Sequence, residues 1–557
     1  MYDLILYMVH LIKKVIKGNT YLYLAASARI DGKPRRIWQK YLGSEDKFNE
    51  LTELLIDTSP SIMTLDFGLP IALMQLVKEL KLIELINDCT NKRSQGLSLG
   101  HYVSLAAINR CVKPTSKAKL RRWFEHTALF KEFPPIDTYL DSMAYTNHFK
   151  YLTPEVIEDI ETRISERLIK KFNVSMNTLF YDPTNFFTFI NPKEGMELPK
   201  HGHSKEGRFA LNLVGLTLFC TKDGGLPVLH EVYPGNVQDA KLFREQVPRL
   251  LERLKRVGID PREICVVFDK GNLSQEAFDQ IYEAGIHFIC SIRPSTQKEF
   301  DSLTPADFKL EKLPNGKKIG VLEYITQLYG SNNKLLVVYN PRLKAWQEKN
   351  LMIKLEKKIE VVHEWFKERL NVKKWRKVEA VEEKIRDIFK SKKHLDLVDY
   401  SVSGTLAKVE YSIKLNEKAI MTHLDTLGKS FFLSNHPDMA ALDIVWLYRQ
   451  QFTVERAFKY LKSPDLLSVR PMYHWTDDSI RGHLFTCVLG LLLLTLLVRK
   501  VQREFKRLSL SNIVEYLSEI ELAIVHYKGT KKIIKKLVNI SSEAAELSKF
   551  LKLEAQV

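Results

Sequence analysis

The sequence of 557 residues contains little cysteine, and no two of its six cysteines form a Cys-x-x-Cys pair. They are Cys89, Cys111, Cys220, Cys265, Cys290 and Cys487. This scarcity argues against a disulfide scaffold and against a zinc ribbon, and it favours a reducing cytoplasm. The sequence also shows no internal repeat and no low-complexity tract.

Long hydrophobic runs are missing as well. The strongest one, residues 485–498, has 14 residues, whereas a helix that crosses the hydrocarbon core of a membrane needs about 20. The apolar N-terminus is interrupted by Asp3 and lacks a small-residue cleavage site, so we expect no signal peptide, and Met8 is a second candidate start. The sequence therefore predicts a soluble protein without a membrane partner, in which residues 485–498 form a buried helix.

Acidic residues are outnumbered, since 84 Lys and Arg against 67 Asp and Glu give a net charge of +17. This excess favours a polyanionic partner over a neutral small molecule. Basic ribosomal and membrane-associated proteins share the feature, so charge alone does not separate nucleic acid from an anionic surface. The hydrophobic content of 45% supplies ample material for a core.

Hydrophobic periodicity divides the chain into six predicted segments. Residues 1–64 are predicted to be β-rich, with strands at 21–26 and 36–42 around an Asp31-Gly32 turn. The other five are a helical region (65–172), the first part of an α/β core (173–294), an α+β insertion (295–440), the second part of the core (441–500) and a helical tail (501–557).

The segment 177–293 has the order β-β-β-α-β-α-β, which predicts a mixed sheet flanked by helices. Two of its apolar strand-like runs end in an aspartate, Asp182 and Asp269. A lone aspartate at a strand end is usually a turn former or a helix cap. Two of them at the rim of one sheet are also suited to a site, because sites in such folds lie at that edge.

A third carboxylate, Glu455, lies in a segment that we predict to be a single helix over residues 443–461. Tyr448, Glu455 and Lys462 are spaced by seven residues and therefore share a helix face, which Gln451 joins. These polar side chains either form a row on the protein surface or border a functional site. With Asp182 and Asp269, Glu455 completes a candidate triad that suits two Mg²⁺ or Mn²⁺ ions and phosphoryl transfer.

Two basic regions are candidate nucleic-acid contacts. Lys117, Arg121 and Arg122 precede the aromatic pair Trp123 and Phe124, a mixture that suits phosphate contacts backed by stacking. Residues 341–393 contain 17 Lys and Arg against 9 Asp and Glu. The alternative in both regions is a solvated helix face, beside core aromatics in the first region.

Together these motifs resemble the DDE transposases of bacterial insertion sequences, specifically the IS-four-type superfamily with a ribonuclease-H-like core. That family carries a Tyr-x2-Arg-x3-Glu-x6-Lys signature, which Tyr448, Glu455 and Lys462 match, whereas Gln451 stands in the place of the arginine. An insertion between the second aspartate and the glutamate is also typical, and here 186 residues separate Asp269 from Glu455. Further segments similar to one branch are 202–208, Pro234-Gly235-Asn236 and Asp269-Lys270-Gly271.

The resemblance implies that Asp182, Asp269 and Glu455 bind the metal pair, and that Tyr448 and Lys462 contact DNA phosphate. Gln451 would make a weaker, uncharged contact in place of the bidentate arginine. Lys205 and Arg208, in the segment 202–208, are further candidate contacts to DNA or the site, with a polar loop as the alternative.

The function implied is that of a transposase that binds the terminal inverted repeats of its element, cleaves DNA and transfers the strand to a target. The helical region 65–172 would recognise DNA ends, and a homodimer on DNA is implied by likeness. We expect a bacterial, cytoplasmic, nucleoid-associated protein. The alternatives are a DNA-binding protein without catalysis, such as a domesticated regulator, and a ribonuclease-H-like nuclease that only hydrolyses.

Overall fold

The computed structural model describes residues 8–30, 33–57, 60–92, 96–134, 140–204, 206–207, 210–405, 408–527 and 533–557. The strands are β1 (Met8–Ile16), β2 (Asn19–Ile30), β3 (Lys33–Ser44), β4 (Pro60–Asp66), β5 (Thr178–Thr188), β6 (Asn212–Thr221), β7 (Pro227–Pro234), β8 (Cys265–Phe268), β9 (His287–Ile292), β10 (Leu310–Lys312), β11 (Lys318–Leu328), β12 (Ser331–Tyr339), β13 (Val398–Thr405), β14 (Lys408–Leu415), β15 (Lys429–Ser434), β16 (Glu521–Tyr527) and β17 (Ile533–Val538). The helices are α1 (Glu45–Asp57), α2 (Gly68–Glu79), α3 (Leu82–Asp88), α4 (Leu99–Val112), α5 (Leu120–Glu125), α6 (Ser142–Phe149), α7 (Pro154–Phe172), α8 (Asp239–Arg256), α9 (Gln275–Ala284), α10 (Pro341–Lys367), α11 (Val378–Phe389), α12 (Lys392–Leu395), α13 (Glu417–Asp425), α14 (Ala441–Arg449), α15 (Phe452–Lys462), α16 (Asp477–Gln502), α17 (Leu510–Glu519) and α18 (Ser542–Phe550).

The chain forms two compact units, of which the first comprises Met1–Ala72, Arg122–Pro135 and Leu508–Val557. Its N-terminal part is the antiparallel sheet β1–β2–β3, in line with the predicted strands. The predicted Asp31-Gly32 turn lies outside the described residues. A second sheet pairs β16 with both β17 and β4, so the C-terminal segment is not the purely helical tail that we predicted.

The second unit comprises Leu73–Arg121 and Ile136–Arg507 and contains a sheet with the order β10-β11-β12-β15-β9-β8-β5-β6-β7. β5, β6 and β7 are successive antiparallel neighbours, whereas β5, β8 and β9 run parallel. Parallel neighbours need crossover connections, which α8 and α9 supply. This arrangement confirms the predicted mixed sheet flanked by helices of a ribonuclease-H-like core.

The strands of the predicted insertion extend this sheet. β15 pairs with β9, and β12 and β11 continue beyond it in antiparallel order. Between β12 and β15 the chain leaves the sheet and forms α10 to α13 with the hairpin β13–β14. These elements bury a hydrophobic cluster of their own, which includes Leu355, Phe366, Ile385 and Val409. The insertion is therefore part sheet edge and part separate core.

Helix α16 is the apolar centre of the second unit. Among the described residues it is the one helix long and apolar enough to cross a membrane, but 83% of its most apolar window is buried inside the protein. This confirms the predicted buried helix at residues 485–498. It packs against α4, whose residues are almost all buried. The helices α3, α4, α6 and α7 of the predicted end-recognition region thus pack within the same unit as the sheet.

Candidate active site

Both aspartates are predicted at strand ends, but Asp182 is the fifth residue of β5, which continues to Thr188, whereas Asp269 directly follows the adjacent strand β8. β5 pairs with β8 so that Phe180 is opposite Val267. Two residues further along each strand, this register reaches Asp182 and Asp269. Neighbouring strands lie about 4.8 Å apart, so the two aspartate positions are side by side at the point where β8 ends. Both side chains are half-buried, which leaves them in reach of solvent.

Asp269 is held by donors from three elements. Its Oδ1 accepts hydrogen bonds from the backbone N–H of Lys270 at 2.8 Å, from Ser291 Oγ at 2.5 Å and from the phenol of Tyr448 at 3.1 Å. Burial, and then the charge of Asp269, raises the pKa of Tyr448, so the phenol stays neutral and keeps its proton to donate. Ser291 was not predicted, because a serine inside an apolar strand carries no signal in the sequence.

Asp182 shares a strand face with Thr184, because alternate residues of a strand point to the same side. Thr184 Oγ1 accepts a hydrogen bond from Lys462 Nζ at 3.0 Å, and the ammonium group lies 5.5 Å from the ring centre of Phe186. The face of β5 that carries Asp182 is therefore the face covered by α15. Thr184 is a second contact that the sequence analysis missed.

The predicted single helix over residues 443–461 is instead two helices, α14 and α15, and this part of the prediction is wrong. The break falls at Gln450 and Gln451. There the backbone tightens, because Thr453 N–H donates to Gln450 O at 2.9 Å and Val454 N–H donates to Gln451 O at 3.1 Å, both over three residues. Tyr448 consequently belongs to α14, and it reaches Asp269 from there.

Glu455 lies in the first turn of α15 and is exposed to solvent. It precedes Lys462 by seven residues and so shares the helix face that lies against β5. Among the described residues, however, no group of three or more His, Cys, Asp and Glu side chains is close enough together to hold a metal ion. The elements that carry the three predicted carboxylates meet at one edge of the sheet, but the side chains do not close into a metal centre.

The chemistry of these three side chains fits a divalent cation. Mg²⁺ prefers carboxylate oxygens and retains several water ligands, so it needs a site open to solvent. Asp182 and Asp269 are half-buried and Glu455 is exposed, which leaves room for water and a phosphate. A zinc site would instead be built mainly from Cys thiolates and His imidazoles, and none of these three side chains is of either type.

Lys462 is paired with an acid that the sequence analysis overlooked. Its Nζ lies 3.1 Å from Glu206, whose other oxygen accepts from Arg470 at 2.6 Å. Arg470 also donates to the backbone carbonyl of Lys462 at 3.2 Å. The candidate contacts Lys205 and Arg208, on either side of Glu206, lie outside the described residues.

The remaining candidate DNA contacts are divided between surface and interior. Arg121 and Arg122 are exposed, as a phosphate contact requires. Lys117 and Gln451 are buried, each only 7% exposed, so neither lies on an exposed helix face, and a contact of either with DNA stays a prediction. Lys117 is covered by α6, since its ammonium group lies against the rings of Tyr145 and Phe149.

The aromatic pair that follows the basic cluster is also interior. Trp123 is 6% exposed and Phe124 is 5% exposed. Phe124 packs edge-on against Phe133, with ring centres 5.6 Å apart. These aromatic rings are therefore core residues and not a stacking surface, which was the alternative interpretation of this cluster.

Comparison with known proteins gives one family and a distant structural likeness. The family described as "Transposase DDE domain" matches residues 191–493, a range that contains Asp269 and Glu455 and begins after Asp182. No curated protein matches. A cryo-EM structure of the piggyBac transposase synaptic complex with hairpin DNA is 10% identical in sequence, with a TM-score of 0.36 over 88% of this chain and 83% of that one.

Proposed function

The chain belongs to the transposase family defined by the DDE domain, and on that premise we propose that it binds the terminal inverted repeats of its own insertion sequence, cleaves the DNA there and joins the freed end to a target. The observation that supports this proposal is the register of β5 and β8, in which Asp182 and Asp269 follow at the same offset from the paired residues Phe180 and Val267, together with the packing against β5 of α15, which bears Glu455. Carboxylates on these elements suit phosphoryl transfer once they hold a metal pair.

In this proposal Asp182, Asp269 and Glu455 hold two Mg²⁺ or Mn²⁺ ions. A bound metal pair supplies an activated attacking oxygen and stabilises the leaving oxygen. Tyr448 and Ser291 orient the Asp269 carboxylate through their hydrogen bonds to its Oδ1. We call the part of the sheet that carries Asp182 and Asp269, together with Glu455 on α15, the carboxylate edge. Lys462 lies beside it and contacts a DNA phosphate once the strand is bound.

The reaction has two steps that need no covalent protein–DNA intermediate. In the first, water attacks the phosphodiester at the element end, the P–O3′ bond breaks, and a 3′-OH and a 5′-phosphate result. In the second, that 3′-OH attacks a phosphodiester of the target, forms a new P–O bond and releases a target 3′-OH. The carboxylate edge serves both steps, because each is an in-line displacement at phosphorus.

The net charge of +17 suits a double-stranded DNA partner. The exposed Arg121 and Arg122 and the basic helical block 341–393 are the proposed contacts outside the carboxylate edge. Lys205 and Arg208 are further proposed contacts to DNA. Two ends are held together by a homodimer that forms on DNA, and the protein acts at the bacterial nucleoid.

Cleavage of labelled inverted-repeat DNA by the purified chain with Mg²⁺ tests this function. The variants Asp182→Asn, Asp269→Asn and Glu455→Gln each remove one carboxylate at nearly constant volume, and each is expected to lower cleavage by about 10³-fold or more. Asp279→Asn, at an exposed aspartate of α9, is the matched control and should cut like the parent. Full cleavage by all three variants would contradict the proposal.

A second candidate function is binding without catalysis, and the open arrangement of the three carboxylates favours it. In that case the chain binds inverted repeats in a salt-sensitive way but releases no nicked product at any Mg²⁺ or Mn²⁺ concentration. A nuclease that only hydrolyses would give nicked ends without joined target DNA. The same assay with a supercoiled target plasmid therefore separates the three outcomes.

A further inference from the structure

A cavity of about 260 Å³ lies within the second unit, and one of its lining residues, Arg470, also binds Glu206 and the backbone of Lys462. Its walls come from the end of α4, the turn that follows it, and the segment between α15 and α16. The basic side chains that line it are Arg110, Lys117, Arg470, His474 and His483, and none of the described residues that line it is acidic. Arg470 is paired with Glu206, but within the described residues Arg110 and Lys117 have no acidic partner, which is unusual for buried cations.

Lys117 is the most exceptional of these side chains. It is 7% exposed, and its ammonium group has no hydrogen-bond partner. The ammonium lies 5.2 Å from the ring centre of Tyr145 and 5.6 Å from that of Phe149, so aromatic faces provide its one visible stabilisation. A buried ammonium normally keeps three donors satisfied, and here all three lack a protein acceptor.

Two neighbouring side chains, Arg110 and His483, are fixed by hydrogen bonds and each retains an unpartnered nitrogen. Arg110 donates to the backbone carbonyls of Ser468 and Thr115, while its Nε has no partner. His483 binds the carbonyl of Val469 through Nε2 at 2.9 Å, and its Nδ1 is also without a partner. The cavity is thus a cup whose free donors are Lys117 Nζ and Arg110 Nε, whereas burial lowers the pKa of His483 and leaves Nδ1 of the neutral ring as an acceptor.

Like charges in this cup oppose one another. Burial, and next the charge of Arg110, lowers the pKa of Lys117 to about 7. Burial also lowers the pKa of His474 to about 3, so the imidazole is neutral. An anion in the cup would offset both the burial of the cations and their repulsion, and it would accept the unused hydrogen bonds.

We propose that this cup binds a phosphate group, and that in the working protein the phosphate belongs to the DNA strand beside the carboxylate edge. The choice of DNA as the source rests on the proposed function. It is supported by Arg470, which lines the cup and also binds Glu206 and the backbone of Lys462. A strand that contacts Lys462 therefore passes within reach of the cup.

The mouth of the cup fits a nucleotide better than a free ion. Tyr473 lines the cavity but is 58% exposed, and its ring stacks on that of Phe189 with centres 5.8 Å apart and an angle of 25°. Phe189 is 49% exposed and nearby Trp475 is 50% exposed. Exposed aromatic faces of this kind stack on bases and tolerate any sequence.

The cup itself is tested with inorganic phosphate and no DNA. Isothermal titration at constant ionic strength should show phosphate binding by the parent chain, and binding at least about tenfold weaker in Lys117→Met. Lys119→Met, at an exposed lysine of the same turn, is the matched control and should bind like the parent. Lys117→Gln serves as a second variant if the methionine variant fails to fold. Equal binding by Lys117→Met and the parent overturns the proposal.

The DNA source is tested with oligonucleotides in which one phosphate at a time is replaced by a neutral methylphosphonate. The parent chain should bind the DNA more weakly when the phosphate at one position near the cleaved bond is replaced. The same replacement should not weaken DNA binding by Lys117→Met any further. Tyr473→Ala should weaken DNA binding and leave phosphate binding unchanged. Phosphate binding that depends on Lys117, without any coupled DNA position, overturns the DNA assignment. Failure of cleavage alone, with the coupling present, would count against the proposed catalysis and not against the cup.

Discussion

Asp269 is the best-supported side chain of the candidate site at the scale of single residues. Three donors converge on its Oδ1, and they come from the chain after β8, from β9 and from α14. A carboxylate anchored by one oxygen has a fixed direction for the other, which is what a metal ligand needs. The two side-chain donors, Ser291 and Tyr448, are therefore positioning residues in this interpretation.

Tyr448→Phe should lower the rate of DNA cleavage by about tenfold and raise the Mg²⁺ concentration needed for half-maximal rate. The reason is that phenylalanine keeps the ring against Phe432 but removes the hydrogen bond to Asp269. The measurement is the cleavage rate across a Mg²⁺ titration. Tyr460→Phe, at a half-buried tyrosine of α15, is the control. An unchanged Mg²⁺ dependence in Tyr448→Phe would show that the phenol does not orient the carboxylate.

Lys117 gives a prediction about stability and pH. Its pKa is about 7 in the folded chain against 10.5 for the ordinary group, so between these values the unfolded chain binds more protons and stability rises with pH. Below pH 7 both states are protonated and the full destabilisation is present. The groups that face this ammonium are Arg110, His474, His483 and the thiol of Cys487, whose own pKa is raised by burial.

Lys117→Met should therefore stabilise the chain in phosphate-free buffer below pH 7, by at most about 5 kcal/mol, since a pKa lowered by one corresponds to about 1.4 kcal/mol. The gain should shrink toward zero as pH rises through the range from 7 to 10.5. Denaturant unfolding at several pH values measures it, with Lys119→Met as the control that shows no such trend. A loss of stability in Lys117→Met at pH 6 would mean that the cation–π contacts outweigh the burial of the charge.

At the scale of elements, the end of α15 is clamped by ion pairs. Glu206 forms an ion pair with Lys462 through one carboxylate oxygen and with Arg470 through the other. All three side chains are about three-quarters buried. Lys462 cannot give its full charge to a DNA phosphate while Glu206 neutralises it. If Lys462 binds DNA as proposed, Glu206 competes with the DNA phosphate for this lysine.

Glu206→Gln should strengthen binding of inverted-repeat DNA at low salt by about two- to fivefold, since a partly exposed pair is worth about 1 kcal/mol or less. The gain should fall as salt is added, because the released charge is screened. Fluorescence anisotropy at a series of NaCl concentrations measures both effects. In a Lys462→Met background the same substitution should have no effect. Weaker DNA binding by Glu206→Gln would indicate that the acid positions the lysine instead of competing for it.

Elements of the core were predictable from the sequence because their signals are local. Apolar runs that end in aspartate predicted β5 and β8, and periodicity predicted α8 and α9. The break between α14 and α15 was not predictable in this way, since Gln450 and Gln451 are ordinary helix formers and the tight turn depends on hydrogen bonds over three residues. Contacts such as those of Ser291 and Glu206 were also hidden, because each joins residues that are distant in sequence.

Burial was the other property that local pattern could not supply. Lys117 lies in a basic cluster, and its neighbours Lys119, Arg121 and Arg122 are exposed as the composition suggests. Only the packing of α6 beside this turn encloses Lys117 against Tyr145 and Phe149. A charged residue whose environment depends on a distant helix cannot be assigned to surface or core from its own segment.

At the scale of the whole molecule, the helical part of the insertion leaves and re-enters the sheet at a single point. β12 ends at Tyr339 and β15 begins at Lys429, and these two residues are paired in the antiparallel register. The backbone of Asn340 also bonds to Gly428 at 2.9 Å. Everything between residues 340 and 428 is thus connected to the sheet like a very long hairpin loop, with its own hydrophobic cluster.

Replacement of residues 340–428 by an Asn-Gly turn should consequently leave the sheet folded, because that dipeptide closes two-residue hairpins. The replaced segment carries 20 basic and 14 acidic residues, so the net charge falls from +17 to +11. If the segment clamps DNA, affinity for inverted-repeat DNA should drop by about tenfold or more, and the slope of log affinity against log salt should become shallower. The triple variant of the exposed lysines 373, 374 and 377 to glutamine is the control for charge alone. A folded deletion variant with unchanged affinity and salt slope would show that the segment is a solvated helical body with no part in DNA binding.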